Sequence, residues 1–140
     1  MSNKSHKGIY VSIKQESIFK IIQKKKNHEF RNYIPKKSFK FMYVYVTAPQ
    51  SQLKYIIEIG NIVKYPEQLE IDGDGNLDFN QGKKSKYAYP IVKVYELINP
   101  ISLKKLKKFD FVPPQAFSYA ETYRELTEYL LTAEKVVIAN

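Results

Sequence analysis

Phe39-Lys-Phe-Met-Tyr-Val-Tyr-Val-Thr47 is the stretch of this chain densest in aromatic and β-branched residues, and Pro49 follows close behind it. Side chains of that kind fit a pleated surface, and a proline removes an amide that a ladder would need. The stretch is therefore a strand that stops at Pro49. Upstream, Ile9-Tyr-Val-Ser-Ile13 alternates apolar and polar positions among β-formers and reads as a second strand. Between the two, residues 16–23 set Ile18, Ile21 and Ile22 at helical spacing, which predicts a short helix with that stripe on the core. The lysines at 24–26 end it near the negative end of its dipole. Residues 28–33 then predict a short strand closed by Pro35.

Downstream, residues 53–65 form a long strand candidate, with Ile56 and Glu58 opposed to Tyr55, Ile57 and Ile59. Gly60 inside it signals a bulge or a bend. Residues 66–86 are polar, contain Gly73, Gly75 and Gly82, and read as a connecting loop. Residues 87–98 give a third long strand, in which Pro90 demands an edge position or a bulge. Residues 100–109 suit a short basic helix, and residues 119–131 a C-terminal helix with Tyr123, Leu126 and Leu130 along one face. Val136-Val-Ile138 closes the series as a short strand. Several substantial strands with two or three helices predict an α+β fold around a curved, mostly antiparallel sheet.

The chain of 140 residues fits one domain, with residues 1–7 expected to form a flexible basic tail. No run of apolar residues is long enough for a membrane-spanning helix, and no signal-peptide pattern opens the chain. There are no cysteines, which removes disulfides, thiolate-bound zinc and cysteine nucleophiles and agrees with a cytoplasmic location. The net charge of +9 is uneven: residues 1–40 carry 11 basic and 2 acidic groups, whereas residues 71–140 carry 10 and 9. Such a basic end either gathers phosphate-bearing partners or serves solubility.

Lys24-Lys-Lys-Asn-His-Glu-Phe-Arg31 is the segment richest in chemistry. Glu29 and Arg31 share one face of a strand, and Lys26 approaches from the turn. Two cations with one carboxylate describe either a surface salt bridge or a site for an anion or a nucleobase edge, where arginine supplies a planar fork. Asp72-Gly-Asp-Gly-Asn-Leu-Asp78 has alternating oxygen ligands, but Leu77 and Lys83 stand where a calcium loop needs glycine and glutamate, so a polar loop is expected and no metal. Among the twelve tyrosines, Tyr43, Tyr45, Tyr87, Tyr89 and Tyr95 lie on strands beside basic residues, as base-stacking platforms or as core. His28 sits within the basic segment, and neither histidine belongs to a metal-ligating pattern.

In order along the chain come a strand ending Ser12-Ile13-Lys14, a short helix, Lys26-x-x-Glu29-x-Arg31, a strand ending Thr47-Ala-Pro49, and a long strand through Gly60. This order resembles the ASCH family of the PUA-like superfamily, whose hallmark is Gly-x-Lys-x-x-Glu-x-Arg after the first helix. Lys24 stands at the glycine position, a departure at the turn leading into the site. Pro113-Pro-Gln-Ala-Phe-Ser-Tyr119 resembles the Pro-Pro-Gln stretch that closes a subset of these domains. The resemblance implies a small, mostly antiparallel PUA-like β-barrel with a cleft lined by Lys26, Glu29 and Arg31, and by Ser12, Lys14 and Thr47 from converging strand ends. It implies a partner that is RNA or a nucleotide, no cofactor and no membrane, with translation-linked roles in some members; it leaves any protein partner unspecified.

One bacterial branch of that superfamily is an amidohydrolase that removes an acyl group from N4-acetylcytidine with a lysine, a threonine and a glutamate. Lys26 would correspond to its lysine, and Glu58 is the nearest candidate for its glutamate, so these two would be catalytic if the chain is an enzyme. Glu29 replaces the threonine, so the hydroxyl is missing. Binding is therefore the expectation, with amidohydrolysis and protein interaction as its rivals.

Overall fold

The computed structural model describes residues 7–140; all but Lys7 of the expected basic tail lies outside the described residues. Strands β1 (Gly8–Ile13), β2 (His28–Arg31), β3 (Phe41–Val46), β4 (Gln52–Ile59), β5 (Val63–Lys64), β6 (Tyr87–Ser102), β7 (Ser118–Tyr119) and β8 (Lys135–Ala139) build one mixed sheet. Helices α1 (Gln15–Ile22), α2 (Asn76–Asn80), α3 (Leu103–Leu106) and α4 (Arg124–Thr132) flank it. The strand order is β2-β6-β4-β3-β1-β7, with β5 and β8 also on β6, and the sheet curls into a half-barrel. The β1–β3 pair is parallel and the other recorded pairs are antiparallel.

The nearly unbroken apolar run of β3 follows from burial on both faces of the sheet. Side chains alternate across a strand, so Met42, Val44 and Val46 enter one core with Ile9, Val11, Ile13 and Ile57. Tyr43 and Tyr45 enter a second core on the other face with Tyr10, Leu53 and Leu97. Ile18 and Ile21 of α1 close the first core, whereas Leu106 of α3 and Leu126 and Leu130 of α4 cover the second. Each face thus has its own helical lid.

Strand β6 explains the curl. Its residues 87–90 pair with β2 and β5, and its residues 91–102 pair with β4 and β8. Pro90 sits where the strand changes partners, next to a register slip between Glu58 and Ile59, and its carbonyl accepts from the Gly60 amide at 2.9 Å. The same slip leaves Val92 without a partner on β4. A bulge turns the strand there while sparing the missing proline amide.

Four expectations change, one of them the C-terminal helix expected over 119–131, which begins at Arg124 because Tyr119 belongs to β7 and residues 120–123 form a 3-10 turn. The strand expected over 53–65 ends at Ile59, and only Val63–Lys64 resumes as β5. The polar stretch 66–86 contains α2, anchored by fully buried Phe79. The helix expected from residue 100 begins at Leu103, because β6 runs on through Pro100 within a second register slip and Ser102 then caps α3, its hydroxyl accepting from the Lys105 amide at 3.3 Å. Among the described residues no helix is long and apolar enough to cross a membrane.

Candidate ligand-binding cleft

The site begins with how α1 stops. Gln23 caps the helix and Lys24 swings to a φ of 63°, a left-handed conformation. The Lys24 amide donates to the Ile21 carbonyl at 3.0 Å, and the Lys25 amide to the Lys20 carbonyl at 2.9 Å. This pair of bonds is the Schellman ending, which usually places glycine at the left-handed residue. Lys24 occupies the position of the hallmark glycine and adopts the backbone that glycine takes most easily. The turn survives the substitution and delivers Lys26 to the mouth of β2.

On β2, the two-residue period sets Glu29 and Arg31 on one face. The Glu29 side chain is 3% exposed, with Lys26 Nζ 2.7 Å from Oε1 and Arg31 Nη1 donating to Oε2 at 2.7 Å. Arg31 Nη1 also donates to the Phe30 carbonyl at 2.9 Å. Burial alone would lower the Arg31 pKa, but the Glu29 carboxylate and the Tyr33 hydroxyl outweigh it, so the guanidinium is held above its ordinary value. Lys26 Nζ meets Oε1 and Arg31 meets Oε2, so each carboxylate oxygen of Glu29 faces its own cation.

Beside this cluster lies a cleft of about 300 Å³. The structure brings Ser12, Lys14, Lys26, Glu29 and Arg31 to its wall, together with Ser17, Phe30, Lys84 and Gln115. Ser12 comes from β1 and its hydroxyl donates to the Pro114 carbonyl at 2.7 Å, which pins the 113–115 segment to the sheet and carries Gln115 in. Lys84 arrives from the loop after α2, its ammonium 5.5 Å from the centre of the Phe30 ring. Sequence reasoning did not place Ile13, Ser17, Phe30, Lys84 or Gln115 in the site; Ser17 follows from the α1 face beside Lys14, whereas nothing near Lys84 marks it.

Two candidates lie elsewhere. Thr47 sits one residue beyond β3, its amide donating to the Ile13 carbonyl at 3.2 Å, and does not line the cleft. Glu58 is on β4, where Oε2 lies 3.5 Å from Lys40 Nζ, and it too is absent from the wall. Of Lys26 and Glu58, only Lys26 lines the cleft.

The aspartate-rich loop fastens the site from behind. Asn27 Nδ2 donates to Asp72 Oδ1 at 3.2 Å, Asn76 Nδ2 donates to Asn27 Oδ1 at 3.0 Å, and the Asp74 amide donates to the Lys25 carbonyl at 2.8 Å. Among the described residues no three of His, Asp or Glu gather around a metal position. His28 Nδ1 lies 2.7 Å from Asn27 Oδ1; burial lowers its pKa against the opposing pull of Asp72. Of the strand tyrosines, Tyr43, Tyr45 and Tyr89 are core residues, and the Tyr89 hydroxyl donates to the Tyr33 carbonyl at 2.6 Å.

No family model and no curated protein matches the sequence. Among solved structures, the ASCH protein of Zymomonas mobilis superposes with a TM-score of 0.67 at 21% identity, over 92% of this chain and 97% of its own. Two single-substitution variants of that protein give TM-scores of 0.62 and 0.64 at 24% and 22% identity, covering 89% and 91% of this chain and 97% and 99% of theirs. The chain has the fold of an ASCH domain.

Proposed function

We propose that the chain binds RNA or a nucleotide in the cleft beside Glu29. The observation that carries this reading is the charge of the wall: Lys14, Lys26, Lys84 and Arg31 stand against the single carboxylate of Glu29. Two of these cations pair with Glu29 and keep one net positive charge there, which leaves Lys14 and Lys84 to meet a phosphate. Glu29 holds Lys26 and Arg31 in place, and the remaining N–H groups of the Arg31 guanidinium are the donors for a base edge. A phosphate at the rim and a base edge at the floor together describe a nucleotide.

Fluorescence anisotropy with labelled single-stranded RNA, competed by mononucleotides, tests the reading. Lys14→Ala and Lys84→Ala should each weaken binding by about tenfold, the scale of one charge-assisted contact. Each should also flatten the slope of log affinity against log salt by about 0.7. Binding that ignores salt and both substitutions refutes the proposal. A protein partner that survives nuclease treatment, with no RNA bound, would replace it.

A further inference from the structure

A second cavity of about 260 Å³ adjoins the cleft, and Lys26 lines both. Its floor is apolar: Ile21 from α1, and Ile91 and Val92 from β6. Val92 is the residue left over by the β6 bulge and is 43% exposed. Bulges re-aim side chains, and this one turns an isopropyl group outward beside a lysine turn. The edge is polar and fixed, because Asn27 holds Asp72 and is itself held by Asn76. Lys24 stands at the rim.

We infer that the cleft and this hollow are adjacent subsites for one single-stranded RNA segment, so that the ligand of the site is an oligonucleotide and not a free mononucleotide; the inference rests on the function proposed above. A polynucleotide alternates flat, weakly hydrated rings with anionic links. The wall repeats that alternation: a guanidinium and lysines in the cleft, the Lys26 turn at the partition, then an apolar hollow edged by Asn27 and Asp72. The linking phosphate lies over Lys24, and the second ring covers Ile91 and Val92. A duplex cannot present its bases to two concave hollows in this way, which is why a single strand is required.

The test compares nucleoside monophosphates with the four homopolymeric RNA trinucleotides in calorimetric titrations. The best trinucleotide should bind about tenfold tighter than its own monophosphate, with a salt slope steeper by about 0.7 for each added phosphate contact. Val92→Asp should abolish that gain and leave monophosphate binding unchanged, and Val92→Ser should reduce the gain in part. Val92 is a surface residue, and melting curves of both variants establish that they fold. Monophosphate binding with no gain for the trinucleotide, or a gain that Val92→Asp leaves intact, overturns the inference while the cleft reading stands. Absence of binding by either ligand overturns both. Equal competition by poly-glutamate overturns the inference as well, since a flexible polyanion has no rings to seat.

Discussion

Replacing Lys24 isolates the energetic consequence of the turn that opens the site. A residue with a Cβ held in the left-handed region costs about 1–2 kcal/mol, whereas glycine loses roughly 0.5–1 kcal/mol more backbone entropy on folding. Lys24 at φ 63° carries the first cost. Lys24→Gly also removes a cation from the helix end, worth about 0.3 kcal/mol at an exposed position. Lys24→Ala removes the same cation but keeps the backbone strain, so the difference between the two variants reports the turn alone. That difference should be about 1 kcal/mol in favour of glycine. With an unfolding entropy of roughly 0.3 kcal/mol per kelvin for a chain of this length, the glycine variant should melt about 3 °C above the alanine variant. Calorimetric scans of the two proteins at one pH and salt measure it. Equal melting temperatures, or alanine above glycine, would show that residue 24 is not held in the left-handed conformation in solution.

Glu29→Gln leaves Lys26 and Arg31 facing each other without their counter-charge and should cost about 3 kcal/mol in urea unfolding, the scale of breaking a mostly buried ion pair. Tyr10→Phe removes a 2.7 Å buried bond to the Thr127 hydroxyl and should cost about 1 kcal/mol. Tyr43→Phe removes a buried hydroxyl that has no partner among the described residues, so stability should stay level or rise; a loss above about 1 kcal/mol would reveal a partner that the structure does not show. Burial pushes the Tyr43 phenol up to about 12 from its ordinary 10. The folded state thus keeps a proton that the unfolded chain releases first; the stability this group contributes is whole below pH 10 and is lost as pH rises towards 12. Urea midpoints across that interval should fall for the native chain and fall less for Tyr43→Phe.

The strands were legible where both faces of the sheet are covered, because β1 and β3 then spell out almost nothing but core-forming residues. The parallel register that joins them was not legible, since pairing between distant segments leaves no local trace. Helix α2 was hidden because a single buried ring, Phe79, anchors it and Leu77 points outward, so no apolar period forms. Pro100 suggested a break, yet it falls inside a register slip where its missing amide is not needed. In the cleft, Lys26, Glu29 and Arg31 are within five positions of one another and their spacing announced them. Lys84 and Gln115 arrive from far along the chain; Gln115 was flagged only by its Pro-Pro neighbours, and Lys84 by nothing.

Strand β6 has a consequence for the order in which the molecule can assemble. Tyr89 and Val94 complete the core under α1, and Leu97 and Ile101 complete the one under α4. A nascent chain that has emerged only to about residue 85 holds β1 to β5 and most of the first core, but lacks the β6 residues that complete it and most of the second. Both cores therefore gain their shared strand within the same few seconds of synthesis, and the second must still wait for α3 and α4 to cover it.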